Sequence, residues 1–449
     1  MGEKQTVLYK GKRMSIVAKF GGSSLANAKQ FGKVVAIIRA DPARRYVVVS
    51  APGKMTPGDK KVTDMLLDWS RCYRSGLPCE EIQQAITARF VEIVTGLGLS
   101  LDIHAEMAKI AQNLHLDATS DFLASRGEFL NAKILAEALG YDFIDPAGCI
   151  HLDREGRYSS DNGHLAAALK GRRAVIAGFY GSLPDGSIKT FSRGGSDITG
   201  ALVAQAVNAR RYENWTDVSG LLRADPRVVE HPRHIRLITY DELRELAYMG
   251  AEVFHAEAMF PVQDAGIETH IRNTNRPQDP GTRIVPDSGR HVKNGHATIS
   301  GIAGRKNFTI IRIQRRLMDK EIGFGERVLK VIAERGISFE HMPGGIDTLS
   351  VIIDDRQLGD KLDGVVAEIT RVCSPGRVTV EKEVALIAVV GRGMVHRIGA
   401  SARVLRAIAR ANINVKVVNQ GSSEMNIIIG VRNCDYEKAV RAIYRTFVR

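Results

Sequence analysis

Short apolar runs alternate with longer amphipathic stretches through the first half of the chain. Residues 15–20, Ser-Ile-Val-Ala-Lys-Phe, predict a strand, and Gly21-Gly-Ser-Ser24 follows as a loop. Phe31, Val34, Val35 and Ile38 recur at helical spacing and predict a helix over residues 26–39. Residues 46–50 are an apolar run bounded by Pro52-Gly53, as a strand buried on both faces requires. The same logic marks residues 174–178 and the run into Asn214-Trp-Thr-Asp217. This alternation predicts an α/β fold with a mostly parallel sheet covered by helices. Residues 276–297, rich in Pro, Gly, Asp and Asn, read as a loop or linker.

Beyond that stretch the pattern repeats. Residues 327–333 recur as 403–409, 337–345 as 413–421 and 349–353 as 425–429, with the same offset of 76 each time (403−327, 413−337, 425−349). One offset across helix-like and strand-like segments predicts two copies of a ferredoxin-like βαββαβ unit.

Length and composition narrow the class. The 449 residues exceed one ordinary core, and 44% hydrophobic with 25% charged residues fits a folded globular chain. Sixty-three basic against 50 acidic residues leave a formal charge of +13, which favours anionic partners. The basic residues are scattered and aromatics are only 6%, so a nucleic-acid groove is not expected. Five cysteines without paired CxxC motifs predict neither a disulfide framework nor a zinc site, and no metal-ligating set stands out. With no apolar run near the roughly 18 residues needed to span a bilayer, the expectation is a cytoplasmic protein without membrane contact.

Two glycine-rich loops suit phosphate. Lys19-Phe-Gly-Gly-Ser-Ser24 lies between a strand and a helix, and Arg193-Gly-Gly-Ser-Asp197 directly precedes an apolar helix. Glycines admit backbone N–H groups close to an anion, a helix N-terminus adds its dipole, and Lys19 adds a mobile charge. Either loop alone reads better as a tight turn, with Ser196 or Asp197 as N-cap, and it is the occurrence of both in one strand–helix domain that favours phosphate. A P-loop motif and a Gly-x-Ser-x-Gly elbow are both missing from the sequence. Ser125-Arg-Gly-Glu128 reads as opening a helix, residues 129–138. Thr216-Asp217 and Asp225-Pro-Arg227 suit a ribose, a base or magnesium, and equally suit turns.

Taken together, Lys19-Phe-Gly-Gly-Ser-Ser24, Ser125-Arg-Gly-Glu128, Phe191-Ser-Arg-Gly-Gly-Ser-Asp-Ile-Thr199, Trp215-Thr-Asp-Val218 and Asp225-Pro-Arg-Val228 resemble the motifs of monofunctional aspartokinases, in order and spacing. The tandem repeat resembles that family's pair of ACT regulatory domains. The resemblance implies an amino-acid-kinase α/β/α sandwich over residues 14–285, a linker over 286–304, ACT units over 305–380 and 381–449, and an N-terminal extension over 1–13.

It further implies ATP-dependent phosphorylation of the L-aspartate side-chain carboxylate to 4-phospho-L-aspartate, with Mg2+. Lys19 and Asp197 would be catalytic. Thr63, Glu128, Arg193 and Ser196 would bind aspartate: Glu128 its α-ammonium, Arg193 its α-carboxylate. Lys19, Gly21, Gly22, Ser23, Thr216, Asp217, Asp225 and Arg227 would bind the nucleotide. An amino-acid effector, lysine first and threonine second, would bind near Ser338, Glu340 and Asp347. The ACT units would support a homodimer or a higher homo-oligomer. Departures from the motifs are Glu252 for a lysine, Ala256 for a proline and Leu222 for a tyrosine of some members. The competing readings are a non-catalytic amino-acid sensor of the same fold and a kinase for another carboxylate.

Overall fold

The computed structural model describes residues 15–448, apart from 57, 115–118, 159–162, 193, 252–255, 288–297 and 396. The chain forms two units. The first comprises residues up to 221 with 234–243 and 252–294, and the second 222–233 with 244–251 and 295–449. The expected N-terminal extension lies outside the described residues.

In the first unit the strands are β1 (Ile16–Phe20), β2 (Arg44–Val49), β3 (Asp142–Ile144), β4 (Ala174–Ala177), β5 (Tyr180–Ser182), β6 (Ile188–Thr190), β7 (Arg211–Thr216), β8 (Leu237–Thr239), β9 (Glu268–Asn273) and β10 (Thr282–Val285). Eight of them make one sheet in the order β3-β4-β2-β1-β7-β9-β10-β8, while β5 and β6 form a separate ribbon. Neighbours run parallel except β9 and β10. β1 is buried along its whole length, and β4 is likewise Ala-Val-Ile-Ala with every residue inside. Such strands need apolar cover on both faces. Helix Ala28–Arg39 supplies Phe31, Val34 and Ile38, and helix Ser120–Leu139 supplies Leu123, Leu130 and Ile134, to one core with Trp69 and Phe90. Helix Gly195–Ala206 buries Ile198, Leu202 and Val203.

Three local readings are corrected. Helix Ala28–Arg39 starts two residues later than predicted, because the Asn27 side chain caps it by accepting the Gln30 N–H at 3.0 Å. Ser125-Arg-Gly-Glu128 does not open a helix; it lies within the 20-residue helix Ser120–Leu139, since residues 120–124 contain no breaker. Thr282–Val285, inside the stretch read as a loop, is strand β10. The Thr282 hydroxyl donates to Ile235 O at 2.5 Å and accepts the Leu221 N–H at 2.8 Å, while Ile284 and Val285 are buried. Flanking Pro and Gly hid a four-residue strand.

The second unit holds β11 (Gly301–Gln314), β12 (Thr348–Asp354), β13 (Arg377–Val390), β14 (Val417–Asn419) and β15 (Asn426–Arg432), antiparallel in the order β12-β11-β13-β15-β14. The repeat is visible in helices Phe324–Ala333 and Ala400–Arg410, whose starts differ by 76 (400−324). Both repeats use the two 14-residue strands. Gly301–Arg305 of β11 pairs with Leu386–Val390 of β13, and Phe308–Gln314 pairs with Arg377–Val384. The register slips between Arg305 and Ile310, where Asn307 (φ 69°) and Glu383 (φ 60°) turn left-handed, a bulge that bends both strands.

The cores divide there. Ile311, Ile313, Val328 and Val351 belong to one, and Ile302, Ile387, Val404 and Ile429 to the other. Residues 301–304, expected as linker, are therefore strand. The pairing with β13 and the burial of Ile302 at 4% exposure hold them. Among the described residues, no helix is long and apolar enough to cross a membrane.

Ile302→Ala is expected to cost about 2–5 kcal/mol through the cavity it leaves. Ile322→Ala, at a side chain 97% exposed, should stay within about 0.5 kcal/mol. Denaturant midpoints of the two variants check this.

Candidate active site

The carboxyl ends of parallel strands β1, β2, β4 and β7 lie along one edge of the sheet, with β1 between β2 and β7. Ligands in open α/β sheets bind at such an edge. Lys19, the fourth residue of β1, is 8% exposed, and its Nζ lies 2.5 Å from Asp197 Oδ1. Asp197 stands in the first turn of helix Gly195–Ala206, which follows Gly194 in the left-handed conformation (φ 70°). The predicted side-chain cap is absent there: no side chain caps this helix.

Three close approaches let these loops converge. A Cβ on Gly53 would lie 2.6 Å from the Gly22 backbone, one on Gly127 2.7 Å from Ala51 Cβ, and one on Gly178 2.7 Å from Ser196 Cβ. The Gly53 N–H donates to Gly22 O at 2.9 Å, and the Gly21 N–H to Trp215 O at 3.0 Å, so the first glycine loop is tied to the ends of β2 and β7. Residues Gly22–Leu25 form a 3-10 turn, whose first N–H groups, Gly22 and Ser23, lack an internal acceptor. Thr216 ends β7, and its carbonyl accepts the Thr274 N–H at 2.8 Å; Asp217 beside it is exposed.

Glu128 projects from the middle of its helix and is 5% exposed. The Ala51 N–H donates to its carboxylate, and Lys19 and Arg126 are near enough to favour the charged form. Burial still dominates and pushes the carboxyl up to about 8. Its Oε2 has no hydrogen-bond partner among the described residues. A buried, unsatisfied carboxylate oxygen beside Lys19 fits a ligand ammonium. Arg126 itself is boxed by the rings of Phe122, Phe129 and Tyr180 at 4.6–5.2 Å, so its part is packing. Thr63 is the second residue of helix Val62–Arg74, whose first residue, Val62, faces Gly127.

The structure thus gathers Lys19, Gly21, Gly22, Ser23, Glu128, Ser196, Asp197 and Thr216 at one sheet edge. Arg193 and Glu252 lie outside the described residues. Asp225 and Arg227 belong to the second unit, where the Arg227 fork grips Asp225 at 2.7–3.0 Å. The effector candidates are also there. Ser338 donates through N and Oγ to Gln357 Oε1 at 2.8 and 2.9 Å, and Asp347 Oδ1 accepts the Leu317 N–H at 2.8 Å. Glu340 is buried against Arg305 at 3.3 Å, and Arg305 also binds Asp354 at 3.0 Å.

Sequence reasoning missed Asn131 and Asn214. Asn131 Nδ2 donates to Ser50 O at 2.8 Å and holds the loop after β2. Its signal in the sequence was an Asn between apolar neighbours, three residues and so about one helical turn beyond Glu128. Asn214 Nδ2 donates to Asp197 Oδ1 at 3.0 Å. The sequence carried no clear signal for it, because Arg211, Glu213 and Thr216 make the same strand polar as well. Among the described residues, no group of three or more His, Cys, Asp or Glu is arranged to hold a metal ion.

Comparison with known proteins agrees with this architecture. The model of the amino acid kinase family matches residues 14–273, and an ACT domain model matches residues 387–447. Aspartokinase 3 of Bacillus subtilis (strain 168) is 38% identical over 452 residues, covering 96% of this chain and 98% of the relative. The crystal structure of Clostridium acetobutylicum aspartate kinase superposes with a TM-score of 0.90 at 45% identity, covering 97% of this chain and all of that one. E. coli aspartokinase III, solved with aspartate and ADP and separately with lysine and aspartate, gives TM-scores of 0.74 and 0.73 at 26% and 25% identity, again over 97% of this chain and all of that one. Fold and site together define an amino acid kinase carrying an ACT-containing unit. The chain belongs to the aspartokinase family, and the enzyme is an aspartate kinase.

The glycine contacts carry a prediction. Gly53→Ala forces backbone apart at the Gly22 turn and should cost about 1–3 kcal/mol of stability. Turnover should fall further than that loss of folded protein explains, as activity per folded molecule will read out.

Proposed function

We propose that this enzyme transfers the γ-phosphoryl group of ATP to the side-chain carboxylate of L-aspartate at the edge occupied by Lys19, and that an amino acid, lysine first, inhibits it. The Lys19–Asp197 pair beside the unsatisfied Glu128 oxygen carries the reading. The attacking carboxylate is already ionised, so a general base has nothing to remove. What remains is to hold two repelling anions in line and cancel their charge.

Lys19 does this by leaving Asp197 for the transferring phosphoryl. The Gly22 and Ser23 amides cradle the donor's phosphates, with Gly21 fixing the turn through its bond to Trp215 O and the N-terminal turn containing Ser196 helping. Glu128 accepts the α-ammonium of aspartate, and Thr63 is assigned to the substrate by its motif. Arg193, by its motif, matches the α-carboxylate with a bidentate fork. Thr216 and Asp217 stand where a nucleoside would reach the end of β7, and Asp225 and Arg227 are assigned to the nucleotide by motif. Mg2+ would supply charge neutralisation on the phosphates. Such an ion commonly binds through one or two carboxylates plus phosphate, and exposed Asp217 suits it.

The effector reading is supported by the repeat unit and by the E. coli relative solved with lysine. The Glu340 carboxylate has the Arg305 guanidinium on one oxygen and no hydrogen-bond partner on the other among the described residues, so a lysine ammonium there could add to the existing pair. A ligand that does so only in a less active arrangement inhibits.

Coupled measurement of ADP release with aspartate and MgATP tests the activity. Lys19→Ala should lose on the order of 100-fold or more in kcat while its circular dichroism stays that of a folded protein; a folded variant of near-normal rate refutes the assignment. Lysine added to the same assay should lower the rate and threonine should do less. Glu340→Ala should weaken the lysine response without changing the uninhibited rate.

The pH dependence follows from Glu128. With its carboxyl near 8, the empty site is mostly protonated at neutral pH, and a bound ammonium favours the ionised form. Affinity for aspartate should therefore fall as pH drops through about 8. Glu128→Gln should raise KM for aspartate and flatten this profile. The sign reverses for stability: the unfolded carboxyl ionises near ~4.3, so Glu128 makes the fold less stable as pH rises from there to about 8.

A further inference from the structure

Asp197 receives two donors on one oxygen. Lys19 Nζ lies 2.5 Å from Oδ1, and Asn214 Nδ2 lies 3.0 Å from the same atom. Lys19 and Asn214 are direct partners in the β1–β7 register, so adjacent strands deliver both groups from one level of the sheet. Asn214 is 4% exposed, in a strand whose other central residues are Tyr212, Glu213 and Trp215. Two residues before it, on the same strand face, the Tyr212 hydroxyl donates to the Asp197 carbonyl at 3.3 Å. Tyr212 reaches that carbonyl because Gly200 has no side chain: a Cβ there would stand 2.5 Å from the hydroxyl. One strand face therefore holds both the backbone and the carboxylate of Asp197.

The chemistry separates the two donors. Lys19 is charged and, in the reaction proposed above, is needed elsewhere. Asn214 is neutral, short and fixed by the sheet, and has no phosphate to follow. When Lys19 turns toward the phosphoryl group, a carboxylate only 15% exposed and left without a donor would pull it back, because a largely desolvated charge without a partner is costly. A second donor on the same oxygen lowers that penalty. It stabilises Asp197 in both positions of Lys19 and keeps the carboxylate from following the cation.

We propose that Asn214 is a positioning residue for phosphoryl transfer, its amide holding Asp197 Oδ1 so that Lys19 is released to the transferring group. This rests on the phosphotransfer reading, and the test keeps the two apart. Wild-type enzyme is first assayed for aspartate-dependent ADP formation; if it forms none, that reading fails and this one falls with it.

Given activity, Asn214→Leu, close in size but without a donor, should lower kcat about tenfold or more, the scale of one hydrogen bond to a charged group. KM for aspartate should move less than about twofold, since Asn214 acts on Lys19 rather than on the acceptor's binding groups. Asn214→Ser and Asn214→Ala form the second arm and decide the matter if the leucine variant does not fold. They are alike in size, but only serine keeps a donor, directly or through one water. Serine is expected to retain several-fold more kcat than alanine at equal thermal midpoints. Equal kcat for serine and alanine, a folded leucine variant within about twofold of wild-type kcat, or a loss confined to KM for aspartate would each overturn the proposal.

Discussion

A lysine ammonium nine-tenths withdrawn from water is tolerable only where anions meet it, and much of the first unit's edge is organised around that requirement. Lys19 sits on the central strand because only there do loops from both sides reach its Nζ. Asp197 arrives on a helix start and Glu128 on a long helix, the two acids held apart in character. The first carries a cation and an amide, whereas the second is so desolvated that it keeps its proton to about pH 8. An acid matched by internal donors and an acid left short of them are suited to different tasks: the first steadies the resident cation, and the second waits for an incoming one.

The glycines follow from the same constraint. Gly22, Gly53 and Gly178 lie where main chain or a neighbouring helix comes within 2.6–2.9 Å of a Cβ position. Chain ends can surround a buried ion pair this tightly only by packing backbone against backbone. The sequence made Gly22 conspicuous, since it sits in a doubled glycine after a strand. Gly53 and Gly178 looked like ordinary punctuation, because their partners are distant in the chain. The parallel strands, the loop motifs and the 76-residue repeat were legible because each is a local pattern. The position of Ser125-Arg-Gly-Glu128 within its helix was not: from Leu123 to Ala136 that helix is buried nearly all round, so no amphipathic period carried it back to the polar first turn at Ser120 and Asp121. Asn214 escaped notice because its value lies in a cross-strand neighbour 195 positions away (214−19).

The second unit shows the same logic with the roles of charge exchanged. Arg305 lies between Glu340 and Asp354, two carboxylates with side chains 6% and 7% exposed. Here Arg305 bridges two buried acids, with the exposed Arg356 also holding Asp354 at 2.6 Å, where in the first unit one acid serves a cation and an amide. One Glu340 oxygen has no hydrogen-bond partner among the described residues, so an additional donor could still be accommodated there.

The pairing of β11 with β13 has a consequence for how such an enzyme can be altered. The stretch of chain that opens the second repeat's sheet lies before the first repeat begins, and the two share a pair of continuous ribbons across the Asn307 and Glu383 kinks. Excising either copy as a contiguous block would strip a strand from the one left behind. Grafting or trimming of the sensory half therefore has to treat both copies as a single cassette, and lineages that shuffle it are constrained to inherit the pair intact.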